Sequence, residues 1–275
     1  LSSTLSPVEE QIIRERHGER PLTSRRTDKK LRFDWDAEED TTNGDDPLYK
    51  TVPTRAERRA AFPSLDERHW SEKRLEEMTE RDWRIFREDF AITVSGIGGV
   101  REHPIRFWGE TAQTGLPSRL LRLLEDAGFE DPTPIQRQVV PLAMAGRDLI
   151  GLAETGSGKT IAFLLPILAR IMALPDGERH RRATDGPLAL VMAPTRELAQ
   201  QIDRECRRFA APLGISAISL VGGQSVAEQS FGMRNGADIV IGTPGRLRDF
   251  LEQHLLVFNR CSTVVIDEAD RMIDM

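Results

Sequence analysis

The residues best suited to chemistry stand in two short runs far apart in the chain. Ala153-Glu154-Thr155-Gly156-Ser157-Gly158-Lys159-Thr160 has the spacing of a phosphate-cradling loop, G-x-x-x-x-G-K-[ST], with Ala153 in place of the first glycine. Glycines let backbone N–H groups turn inward around a phosphate, and a helix opening at Lys159 adds the partial positive charge of its N-terminus. Lys159 then reaches the β/γ-phosphates as a compact point charge, and the Thr160 hydroxyl is a ligand for Mg²⁺. Composition singles out this lysine. The chain holds 5 Lys against 33 Arg, and after residue 90 Lys159 stands alone as a lysine. Where a basic group merely needs charge, that region uses arginine; lysine is kept where a planar guanidinium would not fit.

The second run is Asp267-Glu268-Ala269-Asp270, directly after the apolar Thr263-Val264-Val265-Ile266. A carboxylate at the carboxyl end of a buried parallel strand lies where such sheets bind ligands. Asp267 is expected to hold Mg²⁺ through water, and Glu268 to polarise an attacking water. Alone, these four residues read as an acidic surface turn; their place after an apolar strand, downstream of a phosphate loop, makes the pair informative.

Positioning these groups requires a scaffold, and the pattern supplies one. From residue 105 onward, β-like apolar runs at 148–153, 188–193, 215–221, 238–242 and 263–267 alternate with helical stretches. The helices are expected at 117–127, 134–145, 159–173, 196–209, 226–234 and 244–255. Continuous apolar strands separated by helices predict an α/β fold: a parallel sheet with helices on both faces. No internal repeat is present. Ahead of this region, Trp70, Leu75, Met78, Trp83 and Phe86 recur at helical spacing among charges. Ser71 is the expected cap of a first helix and Thr79 of a second, with Asp82 completing a capping box. Gly96, Gly98, Gly99 and Pro104 predict a loop leading into the main domain. Residues 1–63 carry charge, Ser/Thr, Asn-Gly and Pro without apolar periodicity, and are expected to be extended or disordered unless a partner orders them. Phe33, Trp35, Leu48 and Tyr49 stand there in acidic surroundings, as a solvated tail or as a linear anchor for another protein surface.

Composition excludes several classes. No apolar run approaches the roughly 18 residues of a membrane span, and no signal-peptide pattern opens the chain. Cys206 and Cys261 are too few for a disulfide framework or a zinc cluster, so no disulfide partner and an intracellular, membrane-free setting are expected. A net charge of −6 over 275 residues argues against a basic nucleic-acid wrapper while leaving room for local phosphate patches. Charge is uneven: 40 charged residues fall in positions 1–90 and 42 in the following 185.

With these residues in place, the chain resembles the DEAD-box ATP-dependent RNA helicases. Gly128-Phe129 followed by Pro132-Thr133-Pro134-Ile135-Gln136 is similar to the family's Q motif. The resemblance implies that Gln136 reads adenine through its amide, that Phe129 packs on the base, and that Trp108 supports the pocket. Thr155, Gly156, Ser157, Gly158, Lys159 and Thr160 would hold the phosphates of ATP and its Mg²⁺. Pro194-Thr195-Arg196, Gly222-Gly223 and Thr243-Pro244-Gly245-Arg246 resemble the three RNA-facing elements, which meet phosphate oxygens without reading bases. Glu154 departs from the family's usual glutamine and implies a more acidic loop entrance. The fold implied is a RecA-like first helicase lobe. The Ser-Ala-Thr motif and a second lobe with arginine fingers are not among these 275 residues, so the lobe is expected to be incomplete and nearly inactive as an ATPase.

A narrower similarity lies in Asp66-Glu67-Arg68-His69-Trp70-Ser71 and in the run from Glu77 to Phe90, which resemble the segment before the core in a U5-associated spliceosomal branch of this family. That likeness implies a nuclear role in pre-mRNA splicing, displacing a ribonucleoprotein at the 5′ splice site before activation. It divides the chain into a partner-binding segment at 1–65, a helical linker at 66–104 and the lobe at 105–275, with spliceosomal proteins meeting residues 1–90. Two other readings stay open: a docking module with the lobe parked inactive, and a helicase of this family in another RNA process.

Overall fold

The computed structural model describes residues 68–96, 102–110, 115–175 and 185–273. The expected segment at 1–65 and its aromatic anchors lie outside the described residues, as do Gly98 and Gly99.

Four short strands form one sheet: β1 (Ala189–Met192), β2 (Ala217–Leu220), β3 (Ile239–Gly242) and β4 (Thr263–Ile266). Their order is β2-β3-β1-β4, and every adjacent pair is parallel. The register opposes Ala189 to both Ile239 and Thr263, so the strands end almost level at their carboxyl edge. Side chains of a strand alternate between faces, and the packing follows. Ala189, Val191, Ile239 and Ile241 enter one core with Leu164 and Ile202, whereas Leu190, Val240 and Leu220 enter a second core with Leu247 and Phe250. Apolar residues at consecutive positions are thus buried on both sides, as the sequence pattern requires.

The helices are α1 (Glu80–Asp89), α2 (Ser118–Asp126), α3 (Pro134–Met144), α4 (Lys159–Ala173), α5 (Arg196–Ala210), α6 (Val226–Arg234), α7 (Pro244–Glu252) and α8 (Ala269–Ile273). α4 and α5 cover the larger core, α6 and α7 the smaller. Among the described residues no helix is long and apolar enough to cross a membrane.

Two local expectations need correction. Residues 148–153, expected as a strand, form no ladder, and Ile150 and Leu152 are 92% and 90% exposed. An apolar run becomes a strand only when a neighbour accepts its backbone hydrogen bonds, and β4, which ends the sheet among the described residues, pairs with β1 alone. The exposed Val264 and Ile266 on β4 reflect the same uncovered edge. Ser71 is not a helix cap: it sits inside a 3₁₀ turn at Trp70–Glu72 whose cap is His69. The Thr79 cap holds, because the Asp82 carboxylate accepts from Thr79 N at 2.9 Å and Thr79 Oγ1 at 2.8 Å.

Residues 70–86 pack closely on one another and on His103. Trp70 meets Phe86 edge-on at 4.7 Å, and Trp83 stacks on His103 at 4.7 Å with an interplanar angle of 8°. Lys73 Nζ donates to both Asp82 oxygens, at 2.9 and 3.0 Å, in a pair that is almost wholly buried. Burial pushes the Asp82 carboxyl up, but hydrogen bonds from Thr79 and Lys73 outweigh it and hold the group below its usual value.

Candidate functional site

Four loops leave the carboxyl ends of the four strands, and each carries one of the expected motifs. Residues 194–196 follow β1, Gly222 and Gly223 follow β2, residues 243–246 follow β3, and Asp267 and Glu268 follow β4. A parallel sheet gathers its ligand groups at this edge, so residues distant in sequence are neighbours here.

The phosphate loop is built by two glycines in left-handed backbone, Gly156 (φ +81°) and Gly158 (φ +87°), the second being the N-cap of α4. Side chains rarely adopt that conformation, which accounts for glycine at both places. Ser157 Oγ donates to Glu154 O at 2.7 Å and closes the turn, while Thr155 lies exposed on it. Lys159 Nζ spans the loop mouth, donating to Ala153 O at 2.5 Å and Glu154 O at 3.0 Å. Thr160 follows in the first turn of α4, half-buried.

Asp267 lies within reach of the Lys159 charge. Burial raises the Asp267 carboxyl above its usual value and the neighbouring Glu268 charge adds to this, against the Glu268 N–H bond (3.1 Å) and the Lys159 charge. Glu268 has φ +49°, a strained backbone for a side chain of its size, and its carboxylate pairs with Arg271 at 3.1 Å. Helix N-terminus, inward-turning glycines and a lone ammonium fit a phosphate chain; the Thr160 hydroxyl and Asp267 carboxylate fit a hard, oxygen-seeking cation. Among the described residues no group of three or more His, Cys, Asp and Glu forms a metal cage.

Gln136 is fully buried, and its amide is turned onto the protein. Its Oε1 accepts from Thr133 N at 2.9 Å, capping α3, and its Nε2 donates to Gly158 O at 3.1 Å. The residue expected to read a base thus also ties α3 to the phosphate loop, with one N–H and one lone pair beyond these two bonds. Phe129 is half-buried, 6.0 Å from Phe209, with the Arg208 guanidinium 6.0 Å over its ring. Trp108 belongs to the main core beside Ile105 and Leu120.

The RNA-type loops are brought together. Arg196 leans on Gly223, where an added Cβ would lie 2.7 Å from Arg196 Nη1. Arg246 donates to Val221 O at 3.1 Å and Gln224 O at 2.8 Å, so it braces the Gly222-Gly223 loop. Thr195 Oγ1 accepts from Leu198 N and caps α5. Thr195, Arg196, Gly222, Gly223 and Gly245 are exposed, Thr243 and Pro244 are half-buried, and Pro194 is buried. Sequence reasoning missed Gln229, which is buried and whose Nε2 donates to Val221 O and Gln224 Oε1, both at 2.9 Å. Nothing in its spacing on α6 distinguishes it from a solvated residue.

A parallel α/β sheet with a glycine-rich loop opening a helix, an acidic turn and clustered Arg- and Gly-bearing loops at one edge is the arrangement of an NTP-binding helicase lobe. Residues 133–275 match the DEAD/DEAH box helicase family, and the chain belongs to it. It is 47% identical over 293 residues to the pre-mRNA-splicing ATP-dependent RNA helicase PRP28 of Cryptococcus neoformans, covering 94% of this chain and 38% of that protein. With the PRP28 of Chaetomium globosum it shares 46% over 286 residues, 89% of this chain and 40% of that one. Among solved structures, Prp28 from Chaetomium thermophilum bound to ADP superposes with a TM-score of 0.65 at 55% identity, covering 75% of this chain and 48% of that one. Yeast Prp28 superposes with 0.69 at 46% identity, covering 75% and 47%. The chain thus spans about two fifths of the length of the curated relatives it matches.

Proposed function

We propose that this chain is the first, RecA-like lobe of an ATP-dependent RNA helicase that acts in pre-mRNA splicing, in the nucleus. The observation that carries the reading is that Asp267 and Glu268 leave β4 at the same strand edge as the Arg196, Gly223 and Arg246 loops, with the glycine loop capping α4 and presenting Lys159. The Prp28-type relatives, named as splicing RNA helicases, supply the process.

ATP with Mg²⁺ supplies the phosphoanhydride whose hydrolysis drives the cycle. Lys159, the loop amides of Thr155 to Gly158 and the N-terminus of α4 hold the phosphate charge. Thr160 and Asp267 would hold Mg²⁺, Asp267 through water, Glu268 would polarise the attacking water, and Phe129 and Gln136 would take the adenine end. Thr195, Arg196, Gly222, Gly223 and the 243–246 turn grip RNA phosphates without reading bases. Residues 1–65 bind spliceosomal proteins, residues 66–104 link them to the lobe at 105–275, and the system displaces a short duplex or a bound ribonucleoprotein at the 5′ splice site. Without arginine fingers from a second lobe, residues 1–275 turn over ATP slower by about 10³–10⁵.

The test is Lys159→Ala in this lobe joined to a second helicase lobe, assayed in splicing extract. Assembly is expected to proceed while ATP-dependent displacement at the 5′ splice site stops. Displacement at the normal rate would overturn the motor reading in favour of a docking module.

A further inference from the structure

Successive residues of an α-helix turn by about 100°, so Gln136, Arg137 and Gln138 face three directions; all three are nevertheless buried, at 0%, 5% and 5% exposure. Gln136 faces the phosphate loop. The other two face the N-terminal segment. Arg137 Nη1 donates to Ile105 O at 3.3 Å and to Arg106 O, and its own carbonyl accepts from Ile105 N at 2.9 Å. Its guanidinium lies 4.1 Å over the Phe90 ring and 5.6 Å over Phe86. Gln138 bridges Arg87 Nε (3.2 Å) and Glu102 O (3.1 Å).

The grip is itself braced. Arg106, 5% exposed, forks onto Glu110 at 2.9 and 2.6 Å and reaches back to Trp70 O at 3.1 Å and Lys73 O at 2.8 Å. A buried arginine is a costly way to fill space, since each donor must be matched, and Arg137 Nε has no partner among the described residues. Methionine would occupy the volume without that deficit. What it would lack is direction: the fork to two carbonyls and the stack on Phe90 fix the first turn of α3 in rotation and position, and Gln136 sits on that turn.

We infer that Arg137 is a positioning residue for Gln136, through which docking of residues 70–96 and 102–106 sets adenine-nucleotide affinity. The inference rests on the assignment of Gln136 to the nucleotide site. Coupling of this kind is reciprocal: nucleotide tightens the docked segment, and a partner that draws the segment away loosens nucleotide.

The experiment is a double-mutant cycle on the whole chain, read by titration with fluorescent ADP, with circular dichroism to confirm folding. Arg137→Met is expected to weaken ADP about five- to tenfold. In the Gln136→Ala background the same change is expected to add less than about twofold, because its route is already gone. Independent, multiplying penalties would make Arg137 a structural residue only and overturn the inference, as would unchanged affinity in Arg137→Met. If Gln136→Ala alone leaves ADP binding unchanged, its assignment to the site fails and the inference falls with it; if Gln136→Ala weakens ADP and Arg137→Met does not, the inference alone falls. Should Arg137→Met not fold, Phe90→Leu, on the far side of the contact, enters the same cycle with the same expected non-additivity.

Discussion

At Gly158 two requirements meet on one backbone unit: φ is +87°, and an added Cβ would run into Gln136 Nε2. Gly158→Ala is expected to lower ADP affinity at least about tenfold and to loosen the start of α4, read by titration and by hydrogen exchange of Ala162, whose N–H bonds Gly158 O. Gly223 makes a similar case on the RNA side, with φ +76° and Arg196 Nη1 within 2.7 Å of the Cβ position. Gly223→Ala is expected to weaken single-stranded RNA binding about three- to tenfold, by fluorescence anisotropy, with ADP binding unchanged. Spacing and composition made Lys159 and Gly158 legible at this scale, whereas Gly223 was legible only through the family resemblance. They did not show that Gln136 and Arg246 spend hydrogen bonds on Gly158 O and Val221 O, because a motif specifies a residue type and not its partner.

At the scale of elements, hydrophobic pattern located the six helices from α2 to α7 and all four strands of the sheet to within a few residues. It failed at 148–153 for a physical reason. Periodicity reports a wish to be buried, whereas a strand needs a neighbour to bond, and Ile150 and Leu152 have none covering them among the described residues. The N-terminal segment was readable as helical, and the Thr79–Asp82 cap was readable from its spacing; the Lys73–Asp82 pair was not, since nothing local marks a charge as buried. Asp82→Ala removes the carboxylate from a buried Lys73 and is expected to cost about 3–5 kcal/mol by denaturant titration. The pH dependence has a defined sign. Asp82 is held below its ordinary value of 3.8, so its contribution is complete above that pH and is lost as pH falls through the lower folded-state value. The Tm gap between the native chain and Asp82→Asn should stay constant from neutrality to about pH 4 and close only below it.

Across the whole molecule, the uneven charge separates a dense N-terminal third from a less charged lobe, which on the proposed reading would hold phosphate with backbone amides and a few placed side chains. A net charge of −6 is compatible with anionic ligands under that arrangement. Cys206, fully buried, reports on the integrity of the lobe: burial, with help from Asp203, pushes its thiol up to about 12. It should resist alkylation at pH 8 until the lobe unfolds, and react at the global opening rate in denaturant, followed by mass spectrometry. The most direct measurement of the central claim is equilibrium titration of the chain with ADP in the presence of Mg²⁺, beside Lys159→Ala. Saturable one-to-one binding is expected, weakened more than about tenfold by the substitution with an unchanged circular dichroism spectrum. Equal binding by the two proteins, or none by the native chain, would contradict it.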